Sequence, residues 1–183
     1  EPQLLEYARR QAAVLSDVWE EDTRYDLLSG NAGVLCVLTM RYQADPREEY
    51  LFLADRIGNW LWERAVRTPW GRGWPVDGKG LPLTGMSHGC SGFLEAYARL
   101  FQLTGREKYR EIMRALQKYE NQFFSSETGN WIDLRGVEKP EESGAHSQNT
   151  WCHGAPGILL ARMRMTELAP FRDDRETWED IRR

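Results

Sequence analysis

The sequence predicts an all-α fold built from stacked helical hairpins, and three observations support this. Apolar residues recur at spacings of three and four in most segments, which is the pattern of amphipathic helices. No segment shows the strong alternation of a β-strand. A G-x-x-G turn followed by an apolar run occurs three times, starting at Gly30, Gly89 and Gly154. Because the copies are about 60 residues apart, they indicate a repeat whose turns lie at one end of the helices.

The first half of the chain contains three predicted helices. Residues 2–19 carry an apolar stripe, and Pro2 suits a first helical turn. A short apolar helix over 33–42 follows the first glycine turn. Asp45 is the expected N-cap of the third helix, with Pro46 at its first position. The expected buried stripe of that helix is Tyr50, Leu53, Ile57, Trp60, Leu61 and Ala65.

Two long connections separate the later helices. Eight glycines and prolines predict an irregular connection over 68–88. Helices are expected over 93–104 and 109–119. The connection 125–151 includes 129–134 as a short extended piece, and another helix is expected over 158–168. The chain starts before one helical pattern and stops inside a further one, near 178–183. We therefore expect residues 1–183 to be part of a single domain that is truncated at both ends.

Composition limits the classes of partner. The 183 residues are 41% hydrophobic and 28% charged, which is ordinary for a globular domain. A net charge of -4 argues against a nucleic-acid surface. No apolar run approaches the length of a membrane span. Three widely spaced cysteines indicate free or metal-bound thiols, and hence the reducing cytoplasm.

Two of the glycine turns carry histidine and cysteine. His88 and Cys90 belong to the second turn, and Cys152 and His153 lie at the third. Each turn leads into a helix whose N-terminal N–H groups carry a partial positive charge, which favours an anion or a thiolate. The repeated placement of these residue types predicts a shared centre for metal binding or nucleophilic chemistry.

Three motifs resemble the successive G-x-x-G signatures of lanthionine synthetase cyclases. They are DLLSGNAG at 26–33, GMSHGCSG at 85–92 and WCHGAPG at 151–157. The motifs appear in order, and the resemblance covers nearly the whole chain. The run NWIDLR at 130–135 is most similar to the cyclase domain of bifunctional class II synthetases.

This resemblance implies an α/α toroid, a double ring of helical hairpins, of which the chain would form an incomplete portion. It also implies a Zn²⁺ ion at the centre of one face. Cys152 matches the first zinc ligand, and the remaining Cys-His ligand pair is expected beyond Arg183. His88 matches the family's catalytic acid. Asp26 matches a carboxylate near the site, where it would orient His88 or assist proton transfer.

The implied reaction is an intramolecular Michael-type addition. A cysteine thiol of a dehydrated lanthipeptide precursor would add to a dehydroalanine or dehydrobutyrine of the same peptide. Zinc with an open coordination position would bind and deprotonate the thiol, which is mostly protonated at neutral pH. His88 would protonate the resulting enolate, since imidazole titrates near neutral pH. A dehydratase domain in the same polypeptide is a further expected partner.

Two other functions stay open from the sequence. A eukaryotic-type LanC-like protein would act on glutathione or modified protein segments. A metal-free α/α toroid, either a glycoside hydrolase or a binding module, would use Asp26, Asp133 or Glu142 as carboxylates.

Several residues also have simpler structural interpretations. Asp26 is equally well explained as a cap of its turn. Cys36 and Cys90 are expected to pack in the core, His153 to line or orient the site, and His146 to be exposed. The tryptophans of the connections either line a peptide groove or pack beneath the loops. They are Trp70, Trp74, Trp131 and Trp151.

Overall fold

The computed structural model describes residues 2–139 and 146–183, and this part of the chain is mostly helical, as predicted. Its α-helices are α1 (Pro2–Val18), α2 (Asn31–Ala44), α3 (Glu48–Arg64), α4 (Cys90–Thr104), α5 (Glu107–Asn121), α6 (Ala155–Thr166) and α7 (Arg175–Arg182). Its strands are β1 (Val66–Thr68), β2 (Gly71–Gly73), β3 (Phe124–Ser125) and β4 (Asn130–Trp131). None of the helices described here is both long and apolar enough to cross a membrane.

The helices that follow the glycine turns lie side by side. Helix α4 packs against α2 and against α6, and each of these three helices also packs against the next helix in the chain. The pairs α2 with α3, α4 with α5 and α6 with α7 therefore form a row of hairpins in two layers. This order agrees with the stacked hairpins predicted from the repeat, while closure into a toroid stays a prediction.

Helix α4 is the centre of the core. Ten of its residues are buried, from Cys90 to Leu100. The Trp74 ring stacks on Phe93 with centroids 3.8 Å apart, and the Tyr97 hydroxyl donates to the Gly58 carbonyl at 2.8 Å. This extensive burial accounts for the largely apolar composition of α4, with Ser91 and Glu95 as its buried polar residues.

The second glycine of each G-x-x-G turn is required by close backbone packing. A Cβ atom at Gly33, Gly92 or Gly157 would lie 2.3, 2.2 or 2.0 Å from a backbone carbonyl oxygen. That oxygen belongs to Leu27, Met86 or Trp151, which occupies the same relative position in each copy. Each loop therefore folds back over the start of its helix, and only glycine leaves room for this contact.

We expect Gly92→Ala to destabilise the protein by about 3 kcal/mol, because its new methyl group meets backbone that has little freedom to move. Gly105→Ala is the control. Gly105 ends α4 at a φ of 61° with open space around its Cβ position, so alanine there costs only about 1 kcal/mol of backbone strain. Urea unfolding followed by circular dichroism measures both changes. Equal losses would contradict the packing argument.

The predicted start of α3 is wrong. Arg47, not Asp45, directly precedes the helix, and the Asp45 side chain caps no helix. Its carboxylate Oδ2 instead accepts hydrogen bonds from three arginines, Arg9, Arg41 and Arg47, at 3.1–3.4 Å. These contacts join α1 and α2 to the start of α3. Ion pairing between elements that are distant in sequence has overridden the local capping signal.

The two long connections contain more regular structure than predicted. Strands β1 and β2 form an antiparallel hairpin in which Val66 is opposite Gly73. Its turn includes Gly71 with a φ of 145°, a conformation that glycine tolerates. Strands β3 and β4 form a second hairpin, with Phe124 opposite Trp131, so the predicted extended piece is confirmed in part.

Candidate active site

Three loops meet where α2, α4 and α6 begin. We call residues 22–30, 83–89 and 147–154 the first, second and third glycine loops. The Cys152 carbonyl accepts hydrogen bonds from Met86 N at 3.1 Å, and from Ser87 N and Ser87 Oγ at 3.3 Å. Gly85 has a φ of 99°, and a Cβ atom there would lie 2.5 Å from the same carbonyl. The second and third loops are thus joined backbone to backbone.

Asp26 of the first loop contacts His88 of the second. The distance from Asp26 Oδ2 to His88 Nδ1 is 2.8 Å. Asp26 is buried, whereas the His88 side chain is 35% exposed. Asp26 Oδ1 also accepts from the backbone N–H groups of Leu28 and Ser29, at 2.9 and 2.7 Å. Asp26 therefore caps its turn and contacts His88 at once, so the two interpretations of this residue are compatible.

The residue before Asp26 holds a strained conformation. Tyr25 has a φ of 66°, which costs a non-glycine residue about 1–3 kcal/mol. The Asp22 carboxylate stabilises this bend by accepting from Tyr25 N at 3.2 Å and from Asn31 N at 2.7 Å. Strain of this kind is maintained only where surrounding contacts enforce it. Here they fix the direction in which the Asp26 side chain leaves the loop.

His153 lies behind this pair. Its ring is 6.3 Å from that of His88, and its side chain is buried. Burial lowers the pKa of His153, and the nearby Arg135 cation lowers it further. The lowered pKa of His153 favours its neutral form, and its buried position near His88 is compatible with the predicted lining or orienting role. His146 is exposed, as expected.

An acidic residue and an arginine form an ion pair beside Cys152. Arg135 Nε and Nη2 donate to the Asp133 carboxylate at 3.0 and 2.5 Å. Burial by itself raises the pKa of Asp133, but the bonds from Arg135 outweigh it and hold the pKa below its ordinary value. Arg135 also lies near enough to interact electrostatically with Cys152.

The three cysteines occupy different environments. Cys152 is partly exposed at the joined loops, whereas Cys90 is buried in the core, as predicted. Burial and the Glu120 carboxylate hold the pKa of the Cys90 thiol well above its ordinary value. Burial likewise raises the pKa of Cys36 to about 12. Cys90 and Cys36 therefore stay protonated, which leaves Cys152 as the cysteine suited to metal binding.

The fit to a zinc ion is partial. A cysteine thiolate is a ligand that Zn²⁺ prefers, so the donor chemistry of Cys152 is suitable. Within residues 2–139 and 146–183, no three His, Cys, Asp or Glu side chains are grouped so that they would hold a metal. The described residues thus offer one candidate zinc ligand, Cys152, and do not complete a site.

A cavity of about 450 Å³ opens beside His88. Its lining residues are Val76, Lys79, Gly80, Leu81, Leu83, His88, Leu134, Arg135, Gly136, Val137 and Glu138. None of the four tryptophans considered for a peptide groove lines it. Trp74 and Trp131 are buried, in agreement with packing beneath the loops. Trp70 lines a different cavity near β1 and β2.

Asn130 holds the third loop, a role that no sequence pattern indicated. Its Oδ1 accepts from Ala155 N, the first residue of α6, at 2.8 Å. Its Nδ2 donates to the Gln148 carbonyl at 3.1 Å and to Asn149 Oδ1 at 2.7 Å. Asn130 lies far from α6 in sequence, so a search for capping residues beside the helix does not find it.

Comparison with known proteins identifies the family of the chain. Residues 1–183 match the family described as lanthionine synthetase C-like protein. The chain therefore belongs to the lanthionine synthetase C-like family. A stretch of 77 residues is 36% identical to the lacticin 481/lactococcin biosynthesis protein LcnDR2 of Lactococcus lactis subsp. lactis. The match spans 42% of this chain and 8% of the length of that relative.

Two carboxylates of the metal-free alternative have partners of their own in the described part of the chain. Asp26 contacts His88, and Asp133 is bound by Arg135. Glu142 lies outside the described residues. Family membership therefore favours the two cyclase-related functions over a glycoside hydrolase.

Proposed function

We propose that the protein is a zinc-dependent lanthionine cyclase. Its substrate would be a dehydrated lanthipeptide precursor, supplied by a dehydratase domain of the same or another polypeptide. The observation that carries the proposal is the contact between Asp26 and His88 at 2.8 Å, next to the loop that presents Cys152. Family membership and the lacticin 481-related relative support the same chemistry.

In the proposed reaction, the sulfur of a peptide cysteine bonds to the β-carbon of a dehydroalanine or dehydrobutyrine. The double-bond electrons pass to the adjacent carbonyl as an enolate, and a proton then bonds to the α-carbon. In this reaction the Asp26 carboxylate would accept from Nδ1–H of a doubly protonated His88, whose Nε2–H would give the proton to the α-carbon. The neutral imidazole that results would take up the proton that the thiol releases. The proton lost by the thiol balances the proton gained at carbon.

Cys152 would hold the zinc ion together with donors from outside the described residues. When bound, zinc supplies a positive charge that lowers the pKa of the substrate thiol. Arg135 and the N-terminus of α6 add positive charge at the same position.

The cavity beside His88 would hold the peptide near the reacting atoms. Its floor is apolar, with Leu81, Leu83 and Leu134 buried. Lys79 and Glu138 contribute one charge of each sign at the rim, and Arg135 is already paired with Asp133. We therefore expect the cavity to accept uncharged, apolar side chains next to the reacting cysteine.

The test is cyclisation of a dehydrated peptide that has one cysteine and one dehydroalanine. Ring formation leaves the mass unchanged, so the remaining thiol is alkylated with N-ethylmaleimide and counted by mass spectrometry. We expect the protein with zinc to remove the alkylatable thiol, and a chelator to prevent this. Complete alkylation with the zinc-loaded protein would contradict the proposal. A glutathione adduct formed only with the protein present would favour the LanC-like alternative.

A further inference from the structure

A buried network of charged side chains lies beneath the second glycine loop. Glu120 of α5, Arg162 of α6 and Asp180 of α7 have fully buried side chains. Arg162 Nη2 donates to Glu120 Oε2 at 2.9 Å, and Arg162 Nε donates to Asp180 Oδ2 at 2.9 Å. Gln117 Nε2 also donates to Asp180 Oδ2, at 3.0 Å. Two carboxylates therefore share one guanidinium in the core, and among the described residues its Nη1 has no hydrogen-bond partner. The charge of Arg162 is thus compensated by the two carboxylates.

Glu120 differs from Asp180 because it also binds the loop that carries His88. Glu120 Oε1 accepts from Gly85 N at 2.9 Å, and Glu120 Oε2 accepts from Ser91 Oγ at 2.6 Å. Gly85 lies three residues before His88, and Ser91 lies three residues after it. One buried carboxylate thus holds the loop on both sides of the histidine.

The same loop has other hydrogen bonds as well. The Tyr119 hydroxyl of α5 donates to the Pro82 carbonyl just before the loop, and Thr84 Oγ1 donates to the Ile132 carbonyl. The loop backbone also contacts the third loop through the Cys152 carbonyl. Glu120 differs from these partners because it binds on both sides of His88. Arg162 bonds to Glu120 on one side and to Asp180 on the other. Of these three charged residues, Glu120 is the one that contacts the second loop directly.

We propose that Glu120 is a positioning residue for His88, and that it acts by holding Gly85 and Ser91. This inference rests on the proposed function, since it assigns Glu120 to the same reaction. A misplacement of about 1 Å can lower a rate by about 10²-fold even when the altered residue lies outside the chemistry. Glu120 would therefore influence the turnover step without touching the substrate.

The test compares Glu120→Gln with Asp180→Asn in the intact protein. An amide has one oxygen, so the side chain introduced by Glu120→Gln cannot accept from both Gly85 and Arg162, and one donor is left facing another. Asp180→Asn creates the same conflict with Arg162 but touches no part of the second loop. We expect Glu120→Gln to lower kcat by about 10²-fold with KM nearly unchanged, and Asp180→Asn to keep kcat within about threefold.

Hydrogen exchange followed by mass spectrometry reports on the loop without any activity measurement. We expect faster exchange over 85–91 in Glu120→Gln and not in Asp180→Asn. Wild-type kcat and exchange in a folded Glu120→Gln protein would overturn the inference. Equal losses of kcat in the two variants, in proportion to their unfolding midpoints, would also overturn it, because they would show a structural role alone.

Ser91→Ala decides the question if Glu120→Gln does not fold. This variant removes one of the two loop contacts and leaves Glu120 and Arg162 paired. A lowered kcat at an unchanged unfolding midpoint supports the inference, and a wild-type kcat overturns it. Failure of the proposed function would appear differently, because the wild-type protein would then not cyclise the dehydrated peptide. The exchange experiment would still show whether Glu120 holds the loop.

Discussion

Cys152→Ala is expected to abolish ring formation and to remove bound zinc from the intact protein. Substitution of the residues that orient a metal's ligands already lowers metal affinity or activity by about 10–100-fold. Loss of a ligand itself should therefore lower them by more than about 10²-fold. The variant should still fold, because the Cys152 carbonyl, not its thiol, accepts the hydrogen bonds from Met86 and Ser87. Zinc content per protein by elemental analysis and thiol alkylation of the product measure the two effects.

Cys90→Ala is the matched control. It removes a thiol that is buried in α4 and remote from metal chemistry, so we expect lower stability with unchanged zinc content. If Cys152→Ala retains one zinc per protein, Cys152 is not a ligand. If both variants lose zinc and structure together, the loss reflects unfolding.

The repeat of glycine turns predicted the layered helices and their common end because its physical cause is local. The second glycine of each turn is needed where a loop folds over its own helix. The residues that make this contact are close together in sequence, so a local motif reveals it. Helix existence followed from periodicity in the same way. Predicted boundaries were less accurate, since α2, α4 and α6 each begin directly after the first glycine of their turn, two or three residues earlier than expected.

The candidate site could be predicted from sequence only in part. His88, Asp26 and Cys152 were found because rare residue types occur at fixed positions in the motifs. Glu120 and Arg162 lie on different helices and meet only after α5 and α6 have packed. In sequence each resembles an ordinary charged residue of a solvent-facing surface. Their burial depends on tertiary packing, which no local pattern reports.

His88→Asn is expected to leave zinc bound and to slow cyclisation by about 10²–10⁴-fold, the usual contribution of a general acid. Asp26→Asn should slow it by about 10²-fold, because an amide N–H₂ in place of Oδ2 would face His88 Nδ1–H and disturb its orientation. Its Oδ1 still accepts from Leu28 and Ser29, so the loop should persist. Rates come from the alkylation assay under single-turnover conditions.

A double-mutant cycle separates orientation from an independent role of Asp26. If Asp26 acts only through His88, the double variant should react no more slowly than His88→Asn alone. Additive losses would instead give Asp26 a proton-transfer role of its own. Asp22→Asn is the control, since it removes a carboxylate that caps the same loop through Asn31 N without contact to His88. A rate loss in Asp22→Asn equal to that of Asp26→Asn would assign both effects to loop structure.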